Sequence, residues 1–187
     1  MVFRLITVIF ITVLIFSGAS AQSNKFALKN QIEFGGSFGF VTTTPVTNGN
    51  TEDSYYEISF YPAFGWFPVD GLELGALIEL TYENPSSGQS STDYAFYFAP
   101  SYNINTKSIV YPYLQGQIGY SGISGSSDAS GIAWGFEGGT KIQILSRALL
   151  KVGLNYKQVT RNPDNADGKN GYNNVSFLAG FMLFFNL

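Results

Sequence analysis

The chain contains no histidine and no cysteine, and charged residues make up only 12% of its 187 positions. The missing histidine excludes Ser-His-Asp catalysis and the commonest zinc ligand, and the missing cysteine excludes thiol nucleophiles, thiolate metal sites and disulfides. A charged fraction about half that of an ordinary soluble domain argues against a conventional water-facing surface. Beyond residue 21 no stretch reaches the roughly 18 consecutive apolar residues of a membrane helix. Basic residues are outnumbered, ten against 13 acidic, and a nucleic-acid partner would want the reverse.

Aromatic residues are abundant at 17%, and glycine supplies 21 positions. The first segment stands apart: Arg4 precedes an apolar run from Leu5 to Phe16, followed by Ser17-Gly18-Ala19-Ser20-Ala21. This is the pattern of a secretory signal peptide with an A-x-A cleavage site, and the run is too short for an anchor of roughly 20 apolar residues. We expect residues 1–21 to be a signal peptide cut after Ala21, 22–30 a short periplasmic segment, and 31–187 a single domain. Cleavage would leave nine basic and 13 acidic residues, a formal charge of −4.

In the remaining chain, apolar residues alternate with period two, the signature of half-buried strands. Leu72, Leu74, Ala76, Ile78, Leu80 and Tyr82 share one face, and Glu73, Gly75, Leu77, Glu79, Thr81 and Glu83 the other. The same pattern starts at Ile32, Tyr56, Tyr94, Val110, Trp134, Leu150 and Val175, giving eight strands. Connections near 43–53, 84–92, 121–130 and 161–173 are long and polar, whereas those near 68–71, 103–109 and 143–148 are short.

The greasy face carries about 35 to 40 apolar side chains, too many for the interior of an eight-stranded barrel, which holds only its own side chains or one small ligand. The apolar face must therefore point outward to lipid, with Ser59, Ala63, Gly75, Gln115, Gln117, Gly119, Gly135, Gly139, Gly153 and Asn155 inside. The expected fold is all-β: an eight-stranded, antiparallel, up-and-down transmembrane β-barrel with long loops on one rim and tight turns on the other. Pro62, Pro100 and Pro112 each remove a ladder donor, and all three are expected toward the short-turn rim.

Residues 58–80 resemble the second hairpin of small bacterial outer-membrane barrels of the OmpA and OmpX type, on Pro62, Gly65, Trp66, Phe67, Asp70, Leu72 and Gly75. Trp134-Gly135-Phe136-Glu137-Gly138-Gly139 echoes it, and the alternation ending at Phe185 and Leu187 resembles the family's C-terminal assembly signal, which usually ends in Phe or Trp. The resemblance implies a bacterial outer-membrane location, lipid as the surroundings and the barrel-assembly machinery as a partner of the last strand. It carries over no cell-wall-binding role.

Inside the barrel, Glu33, Glu57, Glu73 and Glu79 on the first three strands are expected to face Lys141, Lys151 and Lys157 on the sixth and seventh. Cross-lumen ion pairs joined by Glu137 would follow, because unpaired charge in a narrow lumen is costly. Glu79 and Glu83 as an acid-base pair is the weaker reading, since a packed lumen leaves no room for substrate. Asn162-Pro163-Asp164-Asn165-Ala166-Asp167-Gly168 fails the EF-hand spacing and reads as a solvated loop. Gly119, Gly122 and Gly125 read as loop glycines, and Asn174-Val175-Ser176 as a chance glycosylation triplet.

Tyr55, Tyr82, Tyr94, Tyr120 and Tyr172 are expected as an aromatic girdle at the long-loop rim, with Trp66, Phe67, Tyr102, Phe185 and Tyr111 at the other. No catalytic residue, metal or cofactor is expected. The functional expectation is a non-enzymatic structural role in the envelope; the alternatives are a surface adhesion or ligand-binding barrel, a narrow pore, and a soluble lipocalin-like binder.

Overall fold

The computed structural model describes residues 26–83, 91–124, 129–161 and 170–187. Eight strands form the wall: β1 (Gln31–Thr47), β2 (Tyr55–Val69), β3 (Leu72–Glu83), β4 in two pieces (Ser91–Phe98 and Ser101–Asn103), β5 (Val110–Ser124), β6 (Ala129–Leu145), β7 (Ala148–Arg161) and β8 (Asn170–Asn186). Each pairs antiparallel with its sequence neighbour, and β8 pairs back onto β1 from Gln31↔Asn186 to Val46↔Gly171. That last ladder closes the sheet and removes both edges.

The apolar phase of every strand points out. Phe38, Ile58, Leu114 and Ile132 are each more than 60% exposed, which in water would be a severe liability. On β2 the outward row runs from Tyr56 to Trp66, which at ~3.3 Å per residue and a ~40° tilt covers about 25 Å of height, the span of an outer-membrane apolar band. Stacked pairs such as Phe34 with Phe185 (5.6 Å) and Phe40 with Tyr56 (5.6 Å) lie on this surface across β1's two ladders.

The strands are longer than their apolar alternation. β1 continues through Thr42, Thr44 and Val46 to the Asn48-Gly49 turn, and the two-residue strand Asn50–Thr51 folds back on it. Much of 43–53, read from sequence as loop, is therefore strand, as is most of 121–130. Backbone pairing needs only a neighbouring strand, so above the apolar band it persists where side chains turn polar. For the same reason Gly119 and Gly122 lie in β5 and are not loop glycines; Gly125, the segment 1–21 and Asn162–Gly168 fall outside the described residues.

Of the three prolines, Pro62 departs from expectation. Pro62 sits mid-strand in β2, where the ladder to β3 passes from Phe60↔Leu80 to Ala63↔Leu77. Pro100 separates the two pieces of β4, yet its carbonyl accepts from Gly116 N (2.9 Å) and Ala99 N donates to Gly75 O (2.7 Å), so the wall stays continuous. Pro112 lies near the short-turn end of β5, paired with Thr140.

Candidate functional site: the lumen

The inward phase of the strands converges on a charged axis. At the short-turn end Lys141 Nζ lies 2.8 Å from Glu33 Oε2 and 3.0 Å from Glu73 Oε2. Glu73 Oε2 also accepts from Ser101 Oγ (2.7 Å) and Asn103 Nδ2 (3.2 Å). Next, Lys151 Nζ stands 2.9 Å from Glu137 Oε1, which also accepts from the Tyr113 hydroxyl. The Gln115 and Gln117 amides reach Glu137 Oε2 at 3.4 Å.

Higher up, Lys157 pairs with Glu79, whose carboxylate accepts from Tyr61 Oη (3.1 Å) and Tyr97 Oη (3.0 Å). At the long-loop end Arg161 Nη2 meets Asp93 Oδ2 at 2.9 Å and Ser121 Oγ at 3.0 Å, with its guanidinium 5.0 Å from the Tyr172 ring. The structure thus brings seven of the eight sequence-predicted residues into ion pairs: Glu33, Glu73, Glu79, Glu137, Lys141, Lys151 and Lys157. Glu57 sits elsewhere, its Oε2 accepting from Thr43 Oγ1 at 3.1 Å.

Small inward residues make room for these chains. At Gly153 a Cβ would stand 2.5 Å from Tyr113 Oη, and at Gly65 it would overlap the Glu73 carboxylate. Two apolar clusters pack among and below the charges: Tyr61, Leu77, Tyr97 and Val159 in the upper lumen, and Phe26, Phe67, Tyr111, Leu149, Met182 and Phe184 at the short-turn mouth. Charges interleaved with tightly packed apolar side chains leave Glu79 no free lone-pair direction for acid-base work; the side chain of Glu83 lies outside the described residues. Among the described residues no cluster of acids could hold a metal ion.

Several residues assigned to the girdles turn inward instead. Phe67 and Tyr111 are fully buried, and Tyr172 packs against the upper lumen cluster with Lys157 Nζ 5.8 Å from its ring. Each stands in the inward phase of its strand: Trp66 and Phe67 are consecutive and cannot both face lipid. Tyr102, Tyr120 and Trp66 do face outward, whereas Tyr55 shares the inward phase of Glu57 and Ser59 and is exposed only as the first residue of β2; the side chain of Tyr82 is outside the described residues. Asn174 and Ser176 are also buried inside, Ser176 Oγ donating to Asn174 Oδ1 at 2.7 Å, so the triplet presents no acceptor for a glycan.

Sequence reasoning missed the Asp93–Arg161 pair, the tyrosines around Glu79 and Glu137, and Phe26. Strand phase was the available signal for the tyrosines; Asp93 and Arg161 sat at the margins of segments read as loops.

No family model matches the chain, and no curated protein matches it in sequence. Solved structures do. Neisserial surface protein A (NspA) superposes with a TM-score of 0.64 at 17% identity over 82% of this chain and 97% of that one. The outer membrane protein OprG from Pseudomonas aeruginosa gives 0.55 at 12% identity, covering 86% and 98%. The outer membrane protein AlkL, solved in DMPC lipid bilayers, gives 0.56 at 12% identity, covering 91% and 96%. With β8 hydrogen-bonded to β1, the apolar phase outward and these matches nearly end to end, the chain has the closed eight-stranded fold of small outer-membrane β-barrels.

Proposed function

We propose that the protein is a non-enzymatic β-barrel of the bacterial outer membrane, exported by residues 1–21 with cleavage after Ala21. It would serve envelope integrity with a closed lumen and carry its longer connections on the cell surface. The observation that carries this reading is the pairing of a lipid-facing apolar belt around the whole wall with a lumen filled by ion pairs and aromatic side chains. A continuous belt has no use in water, and a lumen so filled offers neither a channel nor a ligand cavity. The Phe-rich face points away from the interior, which counts against a lipocalin-like binder. The eight strands set the start of β1 and the end of β8 on one rim, where the last strand would be read by the barrel-assembly machinery.

The test is expression with the native leader in a Gram-negative host, followed by gel mobility of detergent-extracted outer membranes with and without boiling. A boiling-dependent shift is expected, together with flat traces in planar-bilayer recordings. Recovery in the soluble periplasmic fraction without a shift would overturn the proposal.

A further inference from the structure

The short-turn mouth is covered by a segment that no strand requires. From Phe26 to Asn30 the backbone lies at the opening, tied to the end of β2 and the β2–β3 turn by Gly71 N to Ala27 O (2.8 Å), Lys29 N to Asp70 Oδ1 (2.7 Å) and Asn30 N to Phe67 O (2.8 Å). On the other side Leu187 N donates to Asn30 O at 3.0 Å. Asn30 thus continues both β1 ladders, and the reach across the opening is made by Phe26, which meets Tyr111 on the far wall.

The segment's one aromatic side chain points up into the barrel. The Phe26 ring is fully buried, edge-on to Phe67 (5.5 Å), Tyr111 (5.0 Å) and Phe184 (5.1 Å). Lys141 Nζ lies 5.3 Å from the ring centroid, a cation–π contact with the same ammonium that holds Glu33 and Glu73. Ala27 next to it has φ 59°. A left-handed alanine is strained and persists only where the surroundings impose it. Here the imposition is the turn that seats Phe26.

The compartment behind the ring is short of positive charge. Among the described residues Glu33, Glu73 and Glu137 form ion pairs only with Lys141 and Lys151, and all five side chains are buried. We propose that Phe26 is a stopper that keeps water and ions out of this lower cluster, and that the compartment, once opened, admits small cations in preference to anions. The envelope reading enters only in calling this mouth periplasmic; the closure depends on the barrel alone.

The absence of cysteine makes the test direct, because Ser101→Cys introduces the chain's one thiol beside Glu73. The folded full-length protein in detergent is treated with a cationic and an anionic methanethiosulfonate reagent, each rate taken relative to its rate with a free small thiol. With Phe26 present, Ser101→Cys stays unlabelled. In the Phe26→Ala background it reacts, the cationic reagent about tenfold faster, and Phe26→Leu gives an intermediate rate. Ser59→Cys, higher in the lumen, stays protected in every background.

Equal labelling of Ser101→Cys with and without Phe26, or protection that survives Phe26→Ala, would overturn the stopper. Reactivity of Ser59→Cys in Phe26→Ala would overturn it too, by showing that Phe26 holds the whole wall. Equal relative rates for the two reagents would overturn the cation preference. A boiling-dependent gel shift is checked in Ser101→Cys alone, so failure of the envelope reading appears there, separately from any effect of Phe26.

Discussion

Lys141 and Lys151 stand directly opposite each other on the β6–β7 ladder, yet each is bound to different carboxylates: Lys141 to Glu33 and Glu73, Lys151 to Glu137. Like charges in a cross-strand pair repel, so neither lysine is tolerable there without its own anion. The lumen network is therefore an interlocked arrangement, and its members should respond unequally to removal.

Lys151→Met leaves Glu137 buried with only neutral donors, Tyr113, Gln115 and Gln117. Removing one partner of a buried pair costs about 3–5 kcal/mol, somewhat less here because the Lys141 repulsion goes too. Urea unfolding from liposomes, followed by the fluorescence of the lipid-facing Trp66 and Trp134, measures it. Unchanged stability in Lys151→Met, alongside a loss in Glu79→Gln, would break the pairing scheme.

Within the lowest cluster the expected order is asymmetric. Lys141→Met strands two carboxylates, Glu33 and Glu73, and should exceed the loss from Lys151→Met. Glu33→Gln removes the excess negative charge while an amide oxygen still accepts from Lys141, so its cost should stay within about 1 kcal/mol. Equal losses for the two variants in the same unfolding assay would contradict the charge count.

The Lys157→Met/Glu79→Gln double variant should regain most of what either single variant loses, because a neutral pair removes the buried orphan charge. Tyr61 and Tyr97 can donate to an amide oxygen as they do to the carboxylate. A double variant as unstable as the sum of the singles would show that the two residues act independently.

On the outside, Phe38 faces lipid near mid-height, paired with Phe60 and Ala179. Phe38→Arg should cost about 2–4 kcal/mol in folding into liposomes, whereas Thr44→Arg, above the apolar band, should cost about 0–1 kcal/mol. Equal costs would misplace the band.

Glycine positions separate the two faces. Gly153→Ala places a methyl 2.5 Å from Tyr113 Oη and 3.2 Å from Glu137 Oε1, for an expected loss of about 1–3 kcal/mol that Tyr113→Phe should partly relieve. Gly116 faces lipid with open space around its would-be Cβ, and Gly116→Ala should be neutral or stabilising by up to about 1 kcal/mol. The same unfolding assay distinguishes them.

Alternation alone located all eight strands, because one face meets hydrocarbon and the other a narrow polar interior, and period two separates them in every strand. It failed where that contrast fades. Thr42 to Thr47 and Asn170 to Asn174 continue strands through polar sequence, since above the lipid both faces carry polar side chains and only the ladder remains. The carboxylates and lysines were legible as inward charges, but their tyrosine partners were not. Tyr172 was read as girdle and Tyr113 was given no role, while their phase places them with Asn174 and Gln115, inside. Phe26 precedes any strand, so no periodicity could have assigned it a face.

The ion pairs also set an order of events. Glu137 and Lys151 lie on neighbouring strands and can meet as soon as β6 and β7 form a hairpin. Lys141 and Glu33 are 108 residues apart in the chain, on strands that approach only when β8 has joined β1. A half-assembled wall therefore carries naked charge on its concave side, which keeps the intermediate wet and unable to settle in lipid. The barrel becomes compatible with a bilayer at the moment its seam shuts.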